Sequence, residues 1–345
     1  MLSGAPARRD LLAPLARESA LLLAVSGGPD SVALMLLAAR WPRRAAGVRI
    51  TVATVDHGLR ENSRDEALQV GRWAGALGFD HRLLSWEGPK PATRIQESAR
   101  AARYALLCAC ARDIAPECAV VTAHHADDQA ETILFRLIRG SGVAGLSGMA
   151  SASTRDGVRL LRPLLDVPKA ALEAICDEAG HPFVRDPANE NARFARARLR
   201  ALSATLSAQG LDRGALLRLG GRAARAESAL SWCAVNARKT AVLGFDEVET
   251  RLDAAALRDL PPEISRRLLG GEIQRRGGPP PRLDRLERAA EIVAQALAEG
   301  APKRITLAGL SIRVGDREVT LTSAPPRSRG RAQTETEPRA SEEEA

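Results

Sequence analysis

The sequence predicts an α/β fold in which an N-terminal parallel sheet is sandwiched by helices and a smaller, mostly helical α+β domain follows. The first observation is a set of short apolar runs bounded by turns, at 21–25, 50–55 and 119–123. The second is that segments with helical spacing alternate with these runs, which is typical of parallel sheets. The third is the length of 345 residues, which suffices for two domains.

Each element of the first half is predicted from a local pattern. Strands are expected where aliphatic and β-branched residues cluster between turns, at 21–25, 50–55, 81–84 and 119–123. Helices are expected where apolar residues recur every three or four positions, at 31–41, 64–77, 97–112 and 127–138. Right-handed crossovers place the carboxyl ends of such strands on one edge of the sheet, and ligands bind at that edge.

The second half has a different pattern. Helices are predicted at 211–237, 252–274 and 282–299, and the breaker Gly-Gly-Pro-Pro-Pro separates the last two. Alternating apolar and polar residues around Gly315-Asp316 predict a β-hairpin. We therefore expect a first domain at 15–205, a linker helix at 211–237, a small domain at 238–325 and a disordered tail at 326–345.

The composition narrows the class of protein. The net charge is +8, from 50 Lys and Arg against 42 Asp and Glu, which favours a polyanionic partner such as nucleic acid. Five cysteines without a C-x-x-C spacing argue against a disulfide framework and against a cysteine-bound metal. The N-terminus lacks the pattern of a signal peptide and the apolar runs are short, so we expect a cytoplasmic protein with no membrane partner.

A small polar loop, Ser26-Gly27-Gly28-Pro29-Asp30-Ser31, follows the first predicted strand and begins the first helix. Its glycines allow close backbone approach, while the exposed N–H groups and the helix dipole favour an anion. Ser26 and Ser31 add hydroxyl donors, and Pro29 suits a first helical turn. A plain tight turn capped by serine is the alternative, but the composition of the loop favours phosphate binding.

A second polar cluster follows the strand at 119–123 and opens the next helix. It contains the candidate acid–base residues His125, Asp127, Asp128 and Glu131. A capped helix with a solvated acidic first turn is the alternative interpretation. His57 and Arg60 follow the second strand and are expected at the same edge as ligand contacts, although His57 also fits a role as a loop cap.

Together these motifs resemble the tRNA(Ile)-lysidine synthase family of PP-loop ATP pyrophosphatases, whose fold is adenine nucleotide α-hydrolase-like. The resemblance extends over 15–205 and is carried by the motifs SGGPDS, VDHGLR, RAARY, TAHHADDQAET, RGSGVAGLSGM, RPLL and DPAN. Two motifs depart from the family: DPAN stands where DPSN is usual, and RARLR at 196–200 lacks an Asn that commonly follows its first Arg.

The resemblance implies a two-step reaction. ATP adenylates the position-2 carbonyl oxygen of the wobble cytidine in a tRNA(Ile) with a CAU anticodon, and the ε-amine of L-lysine then attacks that carbon and expels AMP. The product, lysidine, switches the specificity of the tRNA from Met to Ile. Longer family members carry a further C-terminal domain, which we expect this chain to lack.

The resemblance also implies roles for residues. The loop at 26–31 would hold pyrophosphate, with Asp30 as the Mg²⁺ ligand, because a bare carboxylate would repel the phosphates. The implied catalytic residues are Asp30, His125, Asp127, Asp128 and Glu131. The individual roles of the last four are open, and Arg198 is a candidate ATP contact, beside His57 and Arg60.

Arginine is abundant at 185–227, where nine Arg face four acidic residues. A solvated helix is one interpretation, and contact with tRNA phosphates is the one we favour, because the substrate is a large polyanion. The small domain at 238–325 is likewise expected to contact tRNA. A homodimer is left open.

Three other functions fit parts of the pattern. A two-metal phosphoesterase would use the His and Asp residues but not the loop at 26–31. A tRNA thiolation enzyme shares the fold but needs paired cysteines or a catalytic one, which Cys108-Ala-Cys110 does not match. A non-catalytic tRNA-binding protein needs neither the loop nor the His-Asp cluster.

Overall fold

The computed structural model describes residues 10–42, 46–59, 62–91, 93, 95–184 and 205–324. The chain divides into two compact units, Met1–Glu227 and Ser228–Ala345. Four features singled out above lie outside the described residues: Arg60, Arg198, the DPAN motif at 186–189 and the expected tail at 326–345.

The first unit is built on a six-stranded sheet. Its strands are β1 (Ala20–Ala24), β2 (Arg49–Asp56), β3 (Asp80–Ser85), β4 (Ala119–Thr122), β5 (Ala152–Arg155) and β6 (Val158–Leu161). They lie in the order β3-β2-β1-β4-β6-β5, and every pairing is parallel except that of β5 with β6. The four predicted strands and the α/β class are confirmed, whereas the β5–β6 hairpin was not predicted.

Helices cover both faces of this sheet. The helices of this unit are α1 (Pro29–Ala39), α2 (Ser63–Ala76), α3 (Ile95–Ile114), α4 (Ala126–Ile138), α5 (Val143–Leu146), α6 (Lys169–Glu178) and α7 (Arg213–Ala241), which continues into the second unit. Side chains of a strand alternate between faces. Leu21 and Leu23 therefore pack in one core cluster with Met35 of α1, and Leu22 packs in another with Tyr104 of α3.

The order of the strands creates a switch point. β1 pairs with β2 on one side and with β4 on the other, so the chain leaves the carboxyl ends of β1 and β4 in opposite directions. Such a point opens a crevice at the edge of the sheet, where ligands bind. The loop at 26–31 follows β1 and the His-Asp cluster follows β4, so the fold brings both predicted motifs to this crevice.

The second unit is a five-stranded antiparallel sheet with helices, which confirms a smaller α+β region. The elements are β7 (Val242–Phe245), β8 (Glu249–Asp253), α8 (Ala254–Asp259), α9 (Pro262–Arg275), α10 (Leu283–Glu299), β9 (Lys303–Leu307), β10 (Leu310–Val314) and β11 (Glu318–Ser323). The predicted hairpin is β10–β11. The helix predicted at 252–274 is wrong at its start, because Leu252 lies fully buried in β8, paired with β11. It is also wrong as a single helix, because an extended Leu260 separates α8 from α9.

No described helix is both long and apolar enough to cross a membrane.

Candidate active site

The two serines hold the loop after β1 in shape. The Ser31 hydroxyl accepts a hydrogen bond from the Ser26 N–H at 3.1 Å and donates to the Gly28 carbonyl at 2.9 Å. Pro29 occupies the first turn of α1, as predicted, because a residue there has no intrahelical use for an N–H. The loop is therefore closed by its own side chains.

The two glycines have different roles. Gly27 has a φ of +89°, and its carbonyl accepts the Val184 N–H at 2.8 Å. A Cβ at Gly27 would lie 3.2 Å from Val70 Cγ2 and 3.3 Å from Val184 Cγ2. Gly28 has an ordinary φ of −71°, and a Cβ there would meet only Ser26 Oγ, at 3.9 Å. Gly27 thus serves the fold, while Gly28 leaves open space at the start of the helix.

The amino end of α1 has no side-chain cap among the described residues. By contrast, α4 is capped by its own residues: Asp128 N–H donates to His125 Nδ1 at 3.3 Å, and His125 N–H donates to Asp128 Oδ2 at 3.2 Å. Uncapped N–H groups and the positive end of the helix dipole form a ready anion site. By its chemistry, the start of α1 is therefore suited to an anion such as phosphate.

His125 lies between two carboxylates. Its Nε2 is 3.5 Å from Asp30 Oδ2 and 3.5 Å from Asp128 Oδ2, and the residue is buried. Burial alone would lower the pKa of His125, but the hydrogen bond to Asp30 and the charges of Asp128, Asp30 and Asp127 outweigh it and raise the pKa. The structure thus joins the first turn of α1 to the first turn of α4 through this imidazole.

Asp127 is engaged by two other elements. Its Oδ1 accepts from Arg213 Nη1 at 2.9 Å, and its Oδ2 accepts the Lys169 N–H at 2.8 Å. Burial would raise the pKa of Asp127, but these two hydrogen bonds and the Arg213 charge lower it. Asp127 therefore ties α4 to the first turns of α6 and α7, and its Oδ2 lies 3.7 Å from His125 Nδ1.

Two further candidate residues are Glu131, which lies in α4, and His57, which follows β2. Glu131 follows Asp128 by about one helical turn. The pKa of Asp128 is raised mainly by burial, and the negative charge of Glu131 adds to that rise. His57 follows β2 in a turn in which its Nδ1 accepts the Leu59 N–H at 3.0 Å and Asp56 accepts the Gly58 N–H at 3.0 Å. Capping is thus one role that His57 has.

The residues present fit Mg²⁺ at Asp30. Asp30 Oδ1 is buried and has no hydrogen-bond partner among the described residues, which is costly for a carboxylate oxygen unless a cation or donor reaches it. Within the described residues no group of three or more His, Cys, Asp or Glu is placed to hold a metal alone. Mg²⁺ commonly takes one or two carboxylates and completes its shell with substrate phosphates and water, which suits this site.

The sequence analysis did not identify two groups of the site, the side chain of Arg213 and the backbone of Lys169. Both lie in the first turn of a helix, where a basic residue opposes the helix dipole. A cation in that unfavourable position is a signal of an acidic partner. The partner, Asp127, is 86 residues away from Arg213 in the chain, so no local pattern reveals it.

The fold and the crevice are those of an α/β nucleotide-binding protein. In agreement, the PP-loop domain family matches residues 6–205. The chain is 49% identical over 313 residues to the tRNA(Ile)-lysidine synthase of Methylobacterium sp. (strain 4-46), covering 89% of this chain and 90% of that one. It is 47% identical over 346 residues to the synthase of Bradyrhizobium sp. (strain BTAi1), with 95% and 96% covered. The chain belongs to the tRNA(Ile)-lysidine synthase family.

A solved structure shares the fold. The U34-tRNA thiolase from Methanococcus maripaludis, solved with its [4Fe-4S] cluster, superposes with a TM-score of 0.52 at 14% identity. The match covers 62% of this chain and 77% of the thiolase. At this identity the likeness concerns the fold alone.

Proposed function

We propose that the crevice between β1 and β4 ligates lysine to the wobble cytidine of tRNA(Ile) with a CAU anticodon. ATP first adenylates the position-2 carbonyl oxygen and releases pyrophosphate; the lysine ε-amine then bonds to that carbon as the C–O bond to AMP breaks. By family membership the chain is an ATP-using ligase that acts on tRNA(Ile). Because the substrate is a tRNA, we propose that the reaction takes place in the cytoplasm.

One observation carries the proposal: within the described part of the chain, the uncapped start of α1 lies beside a buried Asp30 Oδ1 that has no partner. An anion on the helix N–H groups and a cation on that oxygen would satisfy both. ATP phosphates with Mg²⁺ supply this pair of charges. When bound, Mg²⁺ would offset the negative charge that grows on the leaving pyrophosphate.

The residues of the chain have to orient ATP, cytidine and lysine. Adenylation converts a poor leaving group, the carbonyl oxygen, into a good one, AMP, so much of the remaining task is alignment. Lysine must also lose a proton before its amine attacks. The groups we propose for that proton are His125, which contacts Asp30, and Asp128, which contacts His125. Glu131, the next acidic residue along α4, is retained as a catalytic candidate.

Asp127 has a different proposed role. Because both of its oxygens are occupied, by Arg213 and Lys169, we assign it to positioning the start of α4 rather than to proton transfer. His57, Arg60 and Arg198 remain proposed contacts to ATP, and the region at 238–325 remains a proposed contact to tRNA.

The fate of ATP tests the proposal. Incubating α-labelled ATP with the chain, Mg²⁺ and a CAU tRNA(Ile) transcript should yield AMP and pyrophosphate only when tRNA is present. Asp30→Asn should abolish this, because it removes the charge that holds the cation. Asp65→Asn is the matched control, since Asp65 also lies in the first turn of a helix but is exposed. Formation of ADP, or turnover without tRNA, would contradict the proposal.

A thiolation chemistry finds less support in the cysteines. Cys108 and Cys110 of α3 and Cys118 before β4 are buried in one core cluster. Cys176 lies nearest the loop, but its Sγ donates to the Pro29 carbonyl at 3.4 Å, and burial raises the pKa of its thiol to about 11. A thiol held in this form is a poor nucleophile. Sulfur transfer to tRNA would therefore need groups other than these four.

A further inference from the structure

The outward side of α7 within the first unit carries an unusual arrangement of charge. Leu216, Gly220 and Ala223 are buried on the inner side, where the helix packs on α4. At about 100° per residue, Arg218, Arg222 and Arg225 then fall within about 60° of one another on the opposite side. All three are exposed. We name this surface the arginine face.

The acidic residues of the same segment do not neutralise the arginine face. Asp212 and Glu227 fall on the inner side of the helix by the same geometry. Asp212 is also occupied as the helix cap, since its Oδ1 accepts the Ala215 N–H at 2.6 Å. Among the described residues, Arg218, Arg222 and Arg225 form no ion pair or side-chain hydrogen bond.

Stability does not account for this arrangement. Like charges three or four residues apart on a helix repel, and Arg218, Arg222 and Arg225 have these spacings. The chain offers a contrast in α10, where Arg282, Arg285 and Arg288 alternate with Asp284, Glu287 and Glu291. Interleaved charges are the pattern expected of a helix that only faces water. The segregated charges on α7 call for an anionic partner.

We infer that the arginine face binds the sugar-phosphate backbone of the substrate tRNA. The inference rests on the proposed function, which makes tRNA the polyanion that the chain must grip. The three residues span about 10 Å of helix axis, and each guanidinium can hold a phosphate with two parallel hydrogen bonds. Gly221 lies on the same side, where an added Cβ would meet only Arg225 Nη1, at 3.8 Å, so the backbone can approach closely.

Salt-dependent binding tests the inference without requiring catalysis. We would measure the anisotropy of a labelled CAU tRNA(Ile) with the full chain across a range of KCl. The triple variant R218Q/R222Q/R225Q should bind at least about tenfold more weakly near 150 mM salt, with the slope of log K against log salt reduced by about 2 to 3. R218K/R222K/R225K should keep the native slope. R40Q/R82Q/R112Q, which removes the same charge from three exposed arginines of the first unit outside the arginine face, is the matched control and should also keep it.

Two further readouts separate tRNA binding from other roles. Because the Gln variant relieves repulsion, its melting temperature should equal or exceed that of the native chain, whereas a structural role predicts a decrease. With saturating tRNA its turnover should be native, and only the KM for tRNA should rise. A slope equal to that of the R40Q/R82Q/R112Q control would overturn the inference, as would a changed oligomeric state by light scattering with native tRNA affinity. Native tRNA binding without any lysine transfer would instead contradict the proposed function.

Discussion

Arg213 Nη1 lies 2.9 Å from Asp127 Oδ1, and this ion pair ties the first turn of α7 to the first turn of α4, which carries the proposed catalytic groups. Arg213 opposes the dipole of its own helix, and Asp127 offsets that cost. Both side chains are partly exposed, at 46% and 34%, so the pair adds little to global stability. Its importance lies in fixing where α4 begins.

Removing this pair should affect turnover more than stability. Arg213→Gln should lower the free energy of unfolding by less than about 1 kcal/mol, since exposed ion pairs contribute in that range. Asp127 keeps the Lys169 N–H, so the start of α6 stays in place. We expect a several-fold fall in kcat with native KM for ATP, and recovery in Arg213→Lys. A native kcat in Arg213→Gln would contradict the positioning role.

The two loop glycines should respond in opposite ways. Gly27→Ala should destabilise the chain by about 2 kcal/mol, because alanine is strained at positive φ and its Cβ would crowd Val70 and Val184. Gly28→Ala should leave stability within about 0.5 kcal/mol but raise the KM for ATP at least about tenfold, because its methyl group occupies space meant for phosphate. Urea unfolding and ATP kinetics on both variants measure this; equal effects on stability would refute the division of roles.

A similar pair of glycines tests the packing of α7 on α4. A Cβ at Gly220 would lie 2.5 Å from Ile133 Cδ1, so Gly220→Ala should cost about 1–3 kcal/mol through overpacking. A Cβ at Gly221 meets only Arg225 Nη1 at 3.8 Å, so Gly221→Ala should stabilise the helix by up to about 1 kcal/mol. Chemical denaturation should show shifts of opposite sign. Shifts of the same sign would mean that α7 does not pack on α4 in this way.

His81 should make stability depend on pH. Burial lowers the pKa of His81 below 6.5, and the ring packs beside Gly71 and Thr54. The unfolded chain therefore takes up the proton first, so this contribution to stability is complete above pH 6.5 and is lost as pH falls below it. The difference in unfolding free energy between the native chain and His81→Gln should shrink over that range. A difference that stays constant with pH would contradict the burial of a neutral ring.

The first four strands and the polar motifs were predictable because each is determined by a local pattern of consecutive residues. β1 and β4 are short buried runs, and the loop at 26–31 follows β1 directly. The parallel order of the strands then brings that loop and His125 to one crevice, as the right-handed crossover rule requires.

Other features depend on contacts that the chain makes at long range or in very short elements. β5 and β6 have four residues each, although the Asp156-Gly157 turn between them, with positive φ at both residues, is a hairpin signal that could have revealed them. The predicted helix at 252–274 includes Leu252 and Asp253, the last two residues of β8, because pairing with β11 overrides their local preference. The ion pair of Asp127 with Arg213 joins residues far apart in sequence, so only the folded chain shows it.

The most direct test of the central claim is lysine transfer. Purified chain, ATP, Mg²⁺, labelled lysine and a CAU tRNA(Ile) transcript should yield labelled lysidine at the wobble position, and Asp30→Asn should yield none while Asp65→Asn behaves as native. Transfer by the native chain and its loss in Asp30→Asn would support both the reaction and the place of the cation. ATP cleavage to AMP without lysine in the tRNA would contradict lysine as the nucleophile, and transfer by Asp30→Asn at the native rate would contradict the site.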